Sequence, residues 1–341
     1  MCRMYRGGYD AMVKYTLVDD LTSLKEDSLR AGFGRGLKRA GDEDASVVAL
    51  CADLTESTQM HLFKEAHPER FVEIGVAEQN LVTVAAGMSA MGKKPFASSY
   101  AAFSPGRNWE QIRTTICLNE RFVCVVGSHA GISVGPDGAT HQMLEDIALM
   151  RVLPHMIVIA PGDSKEAEKA TLAIARQATP AYLRLAREAT PVFTTDDTPF
   201  EIGKAYVLRE GTDVALLGTG TMTYQCLVAA EELAHRGIHA EVVHVPTVKP
   251  LDDETILASL RKCGRAVTVE EAQIAGGFGS AVCELSTERL PVPIHRMGMQ
   301  DRFGESGKPE QLLEHFGLTG AAIATTTKKF IQHNPQYHQG V

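Results

Sequence analysis

Val47-Val-Ala-Leu50 is a short, unbroken apolar run, and Asp53-Leu-Thr-Glu-Ser57 follows it almost at once. The run is too short for a buried helix and lacks the alternation of a half-exposed strand. It therefore reads as a strand covered on both faces. Polar residues gathered just past such a strand lie where open α/β sheets bind ligands, at the carboxyl ends of strands.

Outward from this run the pattern repeats. Upstream, Ser23 and Glu26 have capping-box spacing, and Phe33, Leu37 and Ala40 recur at helical intervals before Gly41. Downstream, Phe71–Ile74 reads as a strand. Ala77, Leu81, Val84, Ala85, Met88 and Met91 form one helix face, closed by Gly92. Strands follow at Phe96–Tyr100, Phe122–Val126, Met156–Ile159 and Tyr182–Leu185, with helices at Trp109–Leu118, Met143–Met150 and Ser164–Gln177. Alternation of this kind predicts a mainly parallel, doubly wound sheet with right-handed crossovers.

Pro191–Pro199 is rich in Thr, Asp and Pro and has no periodicity, so it reads as a linker. A second α/β set follows, with strands at Val214–Leu217, Val242–Val245, Ala266–Val269 and Pro293–Arg296 and helices starting near Met222, Asp253 and Ser280. The expected organisation is an N-terminal extension (1–22), a first domain (23–190), a linker (191–200) and a second domain (201–341). There is no internal repeat and no low-complexity tract.

The chain has 341 residues, 22% of them charged, and a net charge of −8 with no long basic run. This composition argues against a nucleic-acid partner. No apolar run approaches a membrane span, and residues 1–20 lack the apolar core of a signal peptide; they read as a loosely ordered extension. The seven cysteines are scattered without a CxxC pair, which suggests reduced thiols, a cytoplasmic location and no zinc site.

Four segments carry polar chemistry at strand ends. Asp53-Leu-Thr-Glu-Ser57 could simply cap a helix. In Glu73-Ile-Gly-Val-Ala-Glu78, Glu78 opens an otherwise apolar helix. It either complements the helix dipole or is a buried carboxylate held protonated and able to share a proton with a heterocycle nitrogen. Ser128-His129-Ala-Gly-Ile-Ser-Val-Gly135-Pro-Asp137-Gly-Ala-Thr140-His141-Gln packs two His, one Asp and three Gly into fifteen residues. That density favours a binding loop over a plain connection. Arg184-Leu-Ala-Arg187 ends the last strand of the first domain, where arginine either forms a surface ion pair or grips phosphate. Two glycine-rich turns, Gly218-Thr-Gly220 and Gly276-Gly277-Phe-Gly279, do not complete a dinucleotide fingerprint and read as tight strand-to-helix turns.

In order and spacing these segments resemble the transketolase family over roughly residues 25–330, the pyrimidine-binding and C-terminal domains. The resemblance implies dependence on thiamine diphosphate and transfer of a two-carbon ketol unit between sugar phosphates. It makes Glu78 the glutamate that hydrogen-bonds N1′ of the aminopyrimidine. Tyr100, where the family usually has Phe, and Phe103 pack around that ring, and Asp53 lies near the thiazolium side. Arg30, Ser57, His129 and Arg187 match binders of the substrate phosphate, and Asp137 and His141 match contacts to substrate hydroxyls.

The Gly-Asp-Gly motif of the diphosphate-binding domain has no counterpart here. The expectation is thus a split enzyme. A partner subunit holds the diphosphate with Mg²⁺ or Ca²⁺, this chain holds no metal, and two copies of each chain form a heterotetramer. The sugars could belong to the pentose phosphate pathway or a specialised one. Alternatives are a deoxyxylulose-phosphate synthase, a 2-oxo-acid dehydrogenase β-type subunit, or a non-catalytic regulatory subunit. The twelve-residue spacing from His129 to His141 and the Thr-His-Gln sequence favour transketolase over the first two, and the full set of polar residues argues against the third.

Overall fold

The computed structural model describes residues 15–334 except 19 and 22. In chain order, the first half comprises β1 (Glu26–Ser28), α1 (Leu29–Glu43), β2 (Val47–Cys51), α2 (His61–Ala66), β3 (Phe71–Glu73), α3 (Glu78–Ala90), β4 (Lys94–Tyr100), α4 (Trp109–Gln111), β5 (Cys124–Ser128), α5 (Asp146–Arg151), β6 (Ile157–Ile159), α6 (Ser164–Ala175), β7 (Ala181–Arg184) and β8 (Ala189–Pro191). The second half comprises β9 (Tyr206–Arg209), β10 (Val214–Gly218), α7 (Met222–Ala234), β11 (Ala240–His244), β12 (Thr247–Lys249), α8 (Asp253–Cys263), β13 (Ala266–Gln273), α9 (Phe278–Arg289), β14 (Ile294–Met299), α10 (Pro309–His315) and α11 (Gly320–His333).

Two mainly parallel sheets carry helices, as the alternation predicts. The first runs β12-β6-β7-β5-β4-β2-β3, and only β12 is antiparallel. The second runs β14-β13-β10-β11-β9 with β9 antiparallel. All five residues of β2 are buried, because helices cover both faces of the sheet. On one face Phe33 and Leu37 of α1 pack with Phe96 and Val126; on the other Leu81 and Ala85 of α3 pack with Val48 and Val125.

Several local expectations shift. Helix α1 starts at Leu29, not at Ser23, because Glu26–Ser28 pairs with Ala189–Pro191; Ser28 Oγ caps the helix by accepting Ala31 N. The helix also runs through Gly41 to Glu43. The segment expected as a helix from Trp109 is one α turn followed by a π-helical stretch, Ile112–Cys117. Part of the expected extension is tied down: Tyr15 is buried and its hydroxyl donates to Glu166 Oε1 at 3.0 Å. Residues 1–14 lie outside the described residues. The presumed linker is pinned as well. Phe193 is fully buried, and Asp163 Oδ2 accepts the N–H groups of Phe193 and Thr194 at 2.9 and 2.7 Å.

The second glycine-rich turn is a helix start, as read. The Glu270 carboxylate accepts Phe278 N and Gly279 N, each at 2.7 Å, and so satisfies the exposed donors at the head of α9. The six described cysteines are free thiols, five of them buried. No helix among the described residues is long and apolar enough to cross a membrane.

Candidate active site

Parallel register lines up the carboxyl ends of the central strands. Cys51 pairs with Ser98 and with Glu73, Tyr100 with Ser128, and Gly127 with Arg184. Along this edge, from β7 to β3, the chain therefore presents Arg187, His129, Tyr100, Asp53 and Glu73 in turn. Two of the six non-glycine residues with positive φ among the described residues, Asp53 (58°) and His129 (56°), sit on this edge. Strained backbone of that kind gathers at functional sites.

Glu78 is the first residue of α3 and is 2% exposed. Its main-chain oxygen accepts Asn108 Nδ2 at 2.8 Å, and its Oε2 accepts Arg107 Nη1 at 2.9 Å. Arg107 is half exposed and lies over the Phe103 ring, 4.6 Å from the centroid. Nothing in the sequence reading anticipated Arg107. Together with Val76, Gln79, Thr83 and Gln111, these two residues line an open cavity of about 490 Å³.

A ring cluster continues from Phe103. Its ring is nearly parallel to that of Tyr100, with centroids 6.4 Å apart, and His141 stands edge-on to it at 5.4 Å. Tyr100 in turn lies 3.8 Å from the His129 ring, centroid to centroid. An unbroken path of contacts thus runs from Glu78 through Arg107, Phe103 and Tyr100 to His129.

Beyond His129 lie two arginines. Arg30 donates to Ser57 O at 2.5 Å and, through Nε and Nη2, to Arg187 O at 3.0 and 2.6 Å. Arg187 donates to Val134 O at 2.7 Å. Ser57 meets Arg30 through its main-chain oxygen rather than its hydroxyl. His129 Nδ1 is 2.8 Å from Ser128 Oγ. Burial first, then the charges of Arg30, Arg187 and His141, push the His129 imidazole down to about 3. His129 is therefore a neutral imidazole, and the positive charge of this cluster comes from two arginines that each keep spare donors.

The remaining predicted residues lie around this core. Asp137 is exposed, and His141 Nδ1 contacts Thr140 Oγ1 at 2.9 Å. Asp53 is exposed with its N–H bound to Glu73 Oε1 at 2.7 Å. Glu73, missed in the sequence, also accepts from Thr55 Oγ1 and Gly75 N and so fixes both loops flanking the β2–β3 ends. Arg184 is not at the site surface: it is buried and ion-paired with Asp146 at 2.8 Å. Among the described residues no cluster of three His, Cys, Asp or Glu side chains is arranged to hold a metal ion.

These features define an α/β protein of the open-sheet class with its polar chemistry concentrated on one carboxyl edge. Residues 25–192 match the family model "Transketolase, pyrimidine binding domain" and residues 203–323 match "Transketolase, C-terminal domain". The chain belongs to the transketolase family.

It is 42% identical over 299 residues to a chain of Methanocaldococcus jannaschii provisionally named a transketolase C-terminal section, covering 87% of this chain and 94% of that one. It is also 42% identical over 300 residues to a 6-deoxy-6-sulfo-D-fructose transketolase subunit of a Clostridium species, covering 88% and 93%. A 1-deoxy-D-xylulose-5-phosphate synthase of Thermomicrobium roseum is 37% identical over 90% of this chain but only 49% of its own length. Among solved structures, a split-gene transketolase captured as an inactive β4 tetramer superposes with a TM-score of 0.84 at 42% identity, over 89% of this chain and 98% of that one. Campylobacter jejuni transketolase superposes with a TM-score of 0.76 at 22% identity, a likeness of fold, over 91% of this chain and 49% of the enzyme.

Proposed function

We propose that this chain is the pyrimidine-binding subunit of a two-chain, thiamine-diphosphate-dependent transketolase that moves a ketol unit between sugar phosphates. The observation that carries this reading is the buried Glu78 carboxylate at the head of α3, joined through Arg107 to the Phe103–Tyr100 rings. A planar heterocycle with a protonatable ring nitrogen fits such a set: a carboxylate for the nitrogen and flat apolar surfaces for the ring. When bound, thiamine diphosphate supplies the electron sink for carbon–carbon bond cleavage.

Glu78 would hold the proton at the ring nitrogen. Burial lets that single hydrogen bond act in a low-dielectric setting. Phe103 and Tyr100 would fix the ring plane, and Asp53, on the same strand edge, would lie toward the thiazolium. Arg30, Arg187, Ser57 and neutral His129 would seat the substrate phosphate, with Asp137 and His141 toward its hydroxyls. Arg107 lies on Glu78 in this structure, so cofactor entry requires it to shift.

A partner subunit would supply the diphosphate site and its Mg²⁺ or Ca²⁺. Support comes from the outer face of α3. Glu78 is the helix's sole charged residue, Val76 and Met91 flanking it are 71% and 84% exposed, and a methyl at Gly87 would meet nothing. A partner chain could cover such a face without leaving a charge buried and unpaired. A heterotetramer with two copies of each chain follows by analogy with the family.

The deciding experiment mixes this chain with diphosphate-binding candidate subunits, thiamine diphosphate and Mg²⁺ and assays ketol transfer. Activity is expected only in the mixture. Glu78→Gln should lower turnover at least 100-fold, within the 10²–10⁴ typical of a lost proton-transfer group, without lowering the melting temperature. Full activity of that variant, or of this chain alone, would overturn the reading.

A further inference from the structure

We propose that the second domain controls substrate affinity through Glu271, a positioning residue for the 131–142 loop. This rests on the reading above that the loop contacts the sugar phosphate. Three glycines turn the loop at positive φ: Gly131 (90°), Gly135 (80°) and Gly138 (72°). All three turns are moulded on the second domain. A methyl at Gly131 would sit 2.4 Å from Glu271 Oε1, one at Gly138 2.5 Å from Ser306 Oγ, and one at Gly135 3.1 Å from Pro309.

Glu271 is the one charged group among these contacts. It is 2% exposed, at the irregular end of the β13–β14 pairing. Its Oε1 accepts Ser133 N at 2.6 Å and its Oε2 accepts Thr221 Oγ1 at 3.3 Å. The main chain of Glu271 is held by the first domain, since Arg184 Nη2 donates to its carbonyl at 2.8 Å. Gln142 makes a parallel tie, donating to Ile132 O, Gly135 O and Glu305 O at 3.1, 3.2 and 2.9 Å. The loop is thus fixed from behind by the second domain, while Arg187 holds Val134 O from the first.

Among the described residues, no hydrogen bond or ion pair joins Glu271 to the ring cluster or to Arg30 and Arg187. Its removal leaves those groups in place and frees the segment that carries Asp137 and His141. Loosening contacts that serve substrate and transition state alike raises KM and leaves kcat nearly unchanged. A merely structural lock would instead change folding stability and leave the kinetic constants alone.

Three variants of the full chain test this by amide hydrogen exchange and, in the reconstituted two-subunit enzyme, by kinetics with the ketose phosphate and aldose phosphate pair that the ketol-transfer assay above finds active. Glu271→Gln keeps an acceptor for Ser133 N–H, Glu271→Asp withdraws it by one methylene, and Glu271→Ala removes it. Glu271→Ala should speed exchange across 131–142 at least tenfold with β10 and β13 unchanged, and raise KM at least tenfold with kcat within threefold. Glu271→Gln should restore most of both. If Glu271→Ala does not fold, Glu271→Asp decides by the same two readouts. Unchanged loop exchange, or equal losses in KM and kcat, overturns the proposal. An active Glu78→Gln enzyme would instead sink the functional reading and leave the exchange result standing.

Discussion

At the scale of single residues, the site separates groups by the environment each is given. His129 is buried beside two guanidinium groups, so its proton is expelled. Its ring should stay neutral from pH 8 to pH 5, visible as flat ¹⁵N shifts in a histidine-selective NMR titration, while phosphate added to millimolar levels should raise its pKa. The depressed folded-state value also means that His129 stabilises the fold fully above about pH 6.5 and progressively less as pH falls toward 3. Replacing Arg107 by Met strips Glu78 of its cation. A buried polar group left without its partner costs about 1–3 kcal/mol, so chemical denaturation should show a loss of that size in the isolated chain. Glu78 and His129 stood out in the sequence because each is a polar residue soon after an apolar strand run, whereas Tyr100 and Phe103 were expected only from the resemblance to the family. Arg107 was not legible, because its meaning depends on the turn after β4 folding it back over Phe103. Glu271 was hidden by its 138-residue separation from Ser133, although paired acids within Ala266–Ala272 are a signal of a buried role.

At the scale of elements, two helices show how sequence detail sets packing. Helix α1 crosses α6 at Gly32 and Gly36, where an added Cβ would lie 1.8 Å from Ser164 O and 2.7 Å from Glu168 O. Gly32→Ala should force the helices apart and cost about 1–3 kcal/mol or more, read as a drop in melting temperature. At α9, burial pushes the Glu270 carboxyl up from its ordinary 4.5 to about 7. A raised folded-state pKa contributes stability below pH 4.5 that fades as pH rises to 7, on the order of 3 kcal/mol. Glu270→Gln should therefore flatten the fall in melting temperature over that interval. Strand and helix identities were readable from period and apolar runs. Boundaries were not: the capping-box spacing at Ser23 was overridden by pairing of Glu26–Ser28 with a strand more than 160 residues away.

At the scale of the whole molecule, the two domains are not separate bodies on a tether. Strand β12 of the second half pairs antiparallel with β6 and closes the edge of the first sheet. His244 in β11 lies 2.7 Å from Glu166 in α6, and both are buried. The sequence divided the chain into two α/β sets. It did not disclose this exchange, because Thr247–Lys249 is too short to register as a strand and its partner lies in another domain. A fragment ending at residue 200 exposes the β6 edge, so size-exclusion chromatography should find it aggregated where the full chain is monodisperse.

The same shared strand bears on how the protein is made. A ribosome releases β6 and β7 before it has assembled β12, and residues 185–249 take on the order of ten seconds to add at ordinary rates of synthesis. During that interval the nascent first domain carries an unfinished sheet whose open margin is available to any other extended chain. The order of translation thus fixes a window in which holding chaperones matter most. It also means that a gene divided between these two domains would encode a first half unable to complete its own sheet.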